Sequence, residues 1–263
     1  MISEPTVRLG VFIGVFALMA AWEVLAPRRR QVFGRGVRWP SNLGVVVLDT
    51  ILVRILFPTA AVGVALIAEA SGFGVLRWLD VPPVVSVVAA VVLLDLAIYG
   101  QHVAFHAVPW LWRLHRMHHA DLELDVTSGL RFHPVEIVLS MVIKGLVVAG
   151  LGAPALGVVI FEVLLNASAM FSHANVRLPL WLDRALRFVL VTPDMHRIHH
   201  SVVRAETDSN YGFSLAVWDR MFRTYRAQPA AGQLGMVIGL PAFRDPGELR
   251  LDRMLTQPFR GDR

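Results

Sequence analysis

The chain has 263 residues, is 55% hydrophobic and has a mean hydropathy of +0.56, too apolar for an ordinary soluble domain and in keeping with the membrane class. Cysteine is absent, which excludes disulfides, thiolate metal ligands and a cysteine-held iron–sulfur cluster, so electrons for any redox step must come from another protein or a carried cofactor. The net charge of +5 rests on arginine, since Lys144 is the only lysine beside 24 arginines; these flank apolar spans with no aromatic-studded basic stripe, which reads as membrane topology and excludes a nucleic-acid partner.

The first apolar run, 9–26, is long enough to cross a bilayer. Arg28, Arg29 and Arg30 follow at once and Arg35 and Arg38 soon after, so the run reads as an uncleaved anchor rather than a signal peptide. A second span is expected at about 44–70 and a third at about 84–107. Residues 135–151 and 154–172 form two shorter apolar segments joined by Gly150, Gly152 and Pro154, the punctuation of a helical hairpin tip. Beyond His173 the chain is polar and arginine-rich, without a spanning run.

Placing the arginines of 28–38 in the cytoplasm puts 21 of the 24 arginines on that side once the spans alternate. All ten histidines fall on that side as well. The expected architecture is therefore all-α: an integral membrane bundle of four to five spanning segments under a cytoplasmic, histidine-rich helical cap. A single domain over 1–263 is expected, with membrane helices in 1–83, a catalytic core in 84–226 and a tail in 227–263. The composition suggests a bacterial inner-membrane protein.

The histidines lie only between His102 and His200. His102 and His106 are i and i+4 at the end of the third span, so both rings leave one helix face about 6 Å apart. The groups LHRMHH (His115, His118, His119) and MHRIHH (His196, His199, His200) repeat one pattern at an offset of 81 residues. In H-x-x-H-H the first ring shares a face with both of the others, while those two diverge by about 100°. One such helix can therefore address two neighbouring metal ions. Pro109 opens the first of these helices; Thr192, Pro193 and Asp194 open the second as N-cap, first residue and first-turn acid. His173 ends the hairpin, and His133 precedes Pro134 at a helix start. Imidazole is the commonest protein metal ligand. A haem-binding electron carrier would instead place isolated histidines on facing helices, and a metal transporter would place them near the bilayer midplane.

The series Asp95, Tyr99, His102, His106, then H-x2-H-H, then a second H-x2-H-H followed by NYG and WDRMFRTY, resembles the fatty acid hydroxylase and sterol desaturase superfamily over about residues 90–226. The resemblance implies a non-haem centre of two iron ions that uses O2 to hydroxylate or desaturate a lipid from the bilayer. Electrons would come from a ferredoxin or small haem protein with its reductase. The ligands it implies are His102, His106, His115, His118, His119, His173, His196, His199 and His200. Val103 and Ala169 depart from the commoner pattern. A tenth ligand is left to His133, Asn166 or water.

Asp121, Asp125, Asp194 and Asp208 are candidates for orienting the ligand rings. Among charges in the apolar spans, Lys144 and Glu162 read as a structural pair across the hairpin, and Asp95 as a lining group on a substrate path. Trp110 and Trp112 are expected at the membrane interface.

Overall fold

A computed structural model describes residues 4–261. Its long helices are α1 (Glu4–Leu25), α2 (Arg35–Leu56), α3 (Ala60–Ser71), the single turn α4 (Val75–Trp78), α5 (Pro83–Ala107), α6 (Pro109–His119), α7 (Pro134–Leu151) and α8 (Ala155–His173). The short helices α9 (Leu180–Leu186) and α10 (Pro193–His199) follow. Among the described residues only isolated bridges represent extended pairing, and the fold is all-α as expected.

Five helical segments are long and apolar enough to cross a bilayer: α1, α2 through α4, α5, α7 and α8. The second differs from its expected bounds. It begins at Arg35 and breaks at Phe57–Thr59, where Pro58 has no N–H to continue the ladder. Outward-facing residues such as Ile55, Ile67, Val84 and Leu146 are each at least 66% exposed, an apolar girdle suited to lipid.

All five segments have one end at the histidines. The carboxylate of Glu23 in α1 accepts from the backbone N–H of Val126 and Asn175 at 2.7 and 2.9 Å. Arg38 in α2 donates to Asp121, and α5, α7 and α8 bring His102, Glu136 and His173 to the same level. The opposite end is closed by two glycines. A Cβ on Gly74 would fall 2.1 Å from the backbone nitrogen of Gly152, so the loop before α4 meets the α7–α8 tip backbone to backbone. Between the ends, Ala61, Ala65, Ala90, Val148, Val158 and Phe161 pack as one core, small residues letting α3, α5, α7 and α8 approach closely.

The tail is not a passive end. Leu251 and Met254 pack against Val45 and Met117, and the carbonyl of Pro258 accepts from Arg113 Nε at 2.8 Å. Arg116 donates to the carbonyls of Gln257 and Arg260. The tail thus clasps α6, the helix that carries three of the histidines.

Candidate metal centre

α6 and α10 form where the capping signals place them: Pro109 and Pro193 are first residues, and Thr192 accepts from the Met195 N–H. They bring their H-x-x-H-H faces together over the ends of α5 and α8. The rings fall into two groups of candidate donor atoms within 4.8 Å of one another, His102, His106, His115, His119 and His199 in one and His118, His173, His196 and His200 in the other. Every one of the nine is at most 4% exposed. The two adjacent pairs, His118–His119 and His199–His200, divide between the groups, as the diverging directions on a helix require.

The protonation pattern is set by the partners of Nδ1. His102 donates to the carbonyl of Tyr211 at 2.7 Å, His173 to Ala169 at 2.7 Å, His199 to Ser209 at 2.8 Å and His118 to Arg131 at 3.2 Å. His115 donates to Glu136 at 2.7 Å and His106 to Asp208 at 3.3 Å. A neutral imidazole has one N–H, so each of these Nε2 atoms carries a bare lone pair. Yet His102 and His115 approach Nε2 to Nε2 at 3.1 Å, as do His118 and His173. Lone pairs facing each other at that distance repel unless a cation lies between them. The Nε2 of His199 is buried with no partner at all.

Burial keeps the rings neutral. It pushes His115 down to about 3, and it holds His118, His119, His196, His199 and His200 well below the ordinary histidine value, with neighbouring rings adding to the effect. Neutral imidazole is the form that ligates a metal. At about 2.1 Å from a common ion, two nitrogens at right angles would stand about 3 Å apart, so the donor set fits transition-metal ions.

His133 is not drawn into either group. Its ring caps α7, accepting from the Val135 N–H at 3.2 Å, and its other nitrogen faces the carbonyl of Leu255. The helix start at Pro134, the next residue, fixes it there. Asn166 donates to the carbonyl of Glu162 one turn back in α8. Val103 fills a cluster with Tyr99, Tyr211 and Trp218, and Ala169 supplies the carbonyl that orients His173.

Of the four candidate orienting acids only Asp208 meets a histidine. Asp121 and Asp125 are bound by Arg38, whose Nε and Nη2 take the two oxygens of Asp121 at 2.9 and 2.8 Å and whose Nη1 takes Asp125 at 2.6 Å. Burial alone would raise the Asp121 carboxyl, but Arg38 and Arg131 overcome it and hold it well below the usual carboxylate range. This buried network shapes the segment 121–131 that ends in the carbonyl holding His118. Asp194 pairs with Arg28 and Arg197 instead.

Three orienting residues carried no assigned role in the sequence. Glu136 sits in the first turn of α7, where an acid reads as a helix-end charge. Asn210, in the left-handed region at φ 52°, donates to the carbonyl of Met195. Asp219 accepts from the N–H groups of Tyr211 and Gly212 at 2.8 and 2.9 Å and so fixes the carbonyl that holds His102. The NYG and WDRMFRTY motifs were the available signal. Asp95 does not line a path: it accepts from Trp218 Nε1 at 2.8 Å, pinning the cap to α5. Trp110 is exposed, but Trp112 packs on His106 and His119 with ring centroids 4.9 and 5.3 Å away.

A cavity of about 910 Å³ runs from His102 and His115 down between α2, α3, α5, α7 and α8, mostly apolar in its walls. Lys144 and Glu162 meet across it at 2.5 Å, with Arg8 on the second oxygen of Glu162, so the expected pair is a triad of a buried carboxylate with two half-buried cations.

Spanning helices with a candidate polyhistidine metal centre at one end and a mostly apolar cavity beneath it define an integral-membrane protein whose site opens toward the bilayer-spanning region. The fatty acid hydroxylase family matches residues 87–224, and the chain belongs to that family. Ornithine lipid hydroxylase OlsE of Rhizobium tropici is 27% identical over 257 residues, covering 95% of this chain and 74% of that protein. Alkylglycerol monooxygenase of Homo sapiens is 27% identical over 156 residues, 57% of this chain and 32% of that protein. Cholesterol 25-hydroxylase of Rattus norvegicus is 26% identical over 164 residues, 62% and 53% respectively. The chain therefore spans about three-quarters of the first relative and from a third to a half of the other two. No solved structure matches it.

Proposed function

We propose that the chain is an O2-dependent hydroxylase of a membrane lipid working at two iron ions. His102, His106, His115, His119 and His199 would hold one ion and His118, His173, His196 and His200 the other. The observation that carries this reading is the set of inward, lone-pair-bearing Nε2 atoms at 3.1 Å in two adjoining groups. Haem is disfavoured by the same distance, because a porphyrin cannot fit between rings in contact.

When bound, the iron ions would supply O2 activation. The chain's own residues do the rest. The cavity below His102 and His115 admits a lipid from the bilayer and keeps water away from it, Phe132 and Phe213 wall the approach, and Glu136, Asp208 and the backbone carbonyls keep the rings in one tautomer. Hydroxylation of a C–H bond consumes O2, two electrons and two protons and gives the alcohol and water. A ferredoxin or small haem protein would deliver the electrons on the cytoplasmic face of a bacterial inner membrane.

The test combines metal analysis of the purified protein with lipid profiling of cells with and without it. Two irons per chain and one oxidised lipid class are expected, and His118→Ala should insert normally yet abolish the oxidised product. A full complement of product from that variant would refute the assignment.

A further inference from the structure

The upper part of the cavity carries a ring of polar atoms that hold no histidine. Asp49 on α2 and Glu136 on α7 both line it, 8% and 4% exposed, and each has a buried carboxylate oxygen (Asp49 Oδ1, Glu136 Oε2) with no donor. Gln101, next to His102 on α5, lines it too. Its Nε2 donates to Ser140 at 2.8 Å, which leaves its buried Oε1 without a donor. Ser140 is one turn below Glu136, about 6 Å along α7, so Gln101 lies within about a turn of Glu136, and both share the cavity wall with Asp49.

Three unsatisfied acceptors around one cavity are a coherent pattern. An unpartnered buried oxygen is unfavourable, and more so when charged. The remedy is a ligand that donates hydrogen bonds, and two facing carboxylates favour one that is also cationic. Of the cations lining the cavity, Lys144 lies about 12 Å further down α7 and, like Arg8, is committed to Glu162, while Arg54 stands about 7 Å along α2 from Asp49 with its side chain exposed. The ring itself is one imidazole away from the metal positions, because the other oxygen of Glu136 holds His115.

We propose that this ring is a binding subsite for the polar group of the lipid substrate, a group bearing N–H or O–H donors, with an ammonium preferred to a hydroxyl. The apolar tail then descends through the cavity toward the bilayer. The oxidised carbon therefore lies within a few bonds of the polar group rather than in mid-chain. This inference rests on the lipid-hydroxylase reading.

The test is native mass spectrometry of the metal-free full chain in detergent with octadecylamine, octadecan-1-ol or octadecane at equal concentration. Octadecylamine should bind about tenfold or more tightly than octadecane, with octadecan-1-ol between them. Asp49→Asn, which replaces an acceptor oxygen with a donor, should remove most of the preference for the amine. Equal binding of the three by the wild-type chain overturns the proposal, and so does an unchanged ranking in Asp49→Asn. If that variant does not fold, the wild-type ranking decides alone, and Gln101→Met should narrow the gap in part. The measurement involves no turnover. A failed ranking beside an oxidised lipid in cells overturns the subsite only, whereas a correct ranking with no oxidised lipid overturns the hydroxylase reading only.

Discussion

The Nε2 atoms of His118 and His173 lie 3.1 Å apart while both rings commit their N–H to backbone carbonyls, those of Arg131 and Ala169. Two lone pairs aimed at one point make a site for a cation, so bound metal should stabilise the fold. Stripping the protein with a chelator is expected to lower Tm, and returning ferrous iron to restore it. At ~1,000 times Kd the stabilisation is ~4 kcal/mol, on the order of 10 °C for a chain of this size. A Tm indifferent to chelation, measured by fluorescence in detergent, would count against a metal centre here.

Asp219 acts at a distance, through backbone. Its carboxylate holds the Tyr211 and Gly212 N–H groups, and the Tyr211 carbonyl holds His102. Asp219→Ala should weaken metal at the five-histidine group by about 10–100-fold, the usual effect of removing a group that orients a ligand. The four-histidine group should keep its ion. Metal titration that shows both ions lost together, or neither, would contradict this division.

The buried rings give the metal-free protein a defined response to acid. His115 is held at about 3, and His118, His119, His196, His199 and His200 lie well below 6.5. The unfolded chain takes up protons near pH 6.5, so below that value it binds more of them than the folded one. Stability is complete above about pH 6.5 and falls as the pH drops through it, by up to ~1.4 kcal/mol per pH unit for each ring. Between pH 7.5 and 5.5 the metal-free chain should lose several kcal/mol, visible as a falling denaturation midpoint. A flat profile over that range would mean that the rings are not buried and neutral.

His133 separates the histidine pattern from the histidine geometry. It caps α7 with its ring nitrogen and lies in neither group. His133→Ala should leave metal content and lipid oxidation near wild type and reduce stability by about 1 kcal/mol, the loss of one helix cap. Loss of an ion from this variant would reopen the question of a tenth ligand.

How much of this could be read from the chain differs by element. The spans, the α7–α8 tip and the two H-x-x-H-H helices are local in origin, set by apolar runs, Pro109, Pro193 and the Thr192 cap, and apart from the second span they form close to where the residues place them. The division of His118 from His119 likewise follows from helical pitch. What depends on distant contacts was not legible. The second span reads in the sequence as one run over about 44–70, with neither its start at Arg35 nor the break at Phe57–Thr59, Asp95 gave no sign that Trp218 would reach it from 123 residues away, and nothing in the sequence singled out Glu136. Asp121 and Asp125 looked like ring-orienting acids until Arg38, some 85 residues earlier, claimed them.

That claim can be tested directly. Arg38 is fully buried and donates to Asp121, Asp125, Ser128 and the Glu123 carbonyl, so removing it leaves Asp125 without its cation and Asp121 with only the more distant Arg131, at 3.8 Å. Arg38→Leu is expected to destabilise by about 3–5 kcal/mol, the range for breaking one side of a buried ion pair. It should also loosen the Arg131 carbonyl that orients His118, weakening metal at the four-histidine group before the five-histidine group. Adding Asp121→Asn removes one stranded charge, so the double variant should recover part of the lost stability, a coupling read from a double-mutant cycle of denaturation midpoints. If Arg38→Leu changes stability by less than about 1 kcal/mol, or if Asp121→Asn only adds to the loss, then the arginine does not hold this segment and the placement of His118 has another cause.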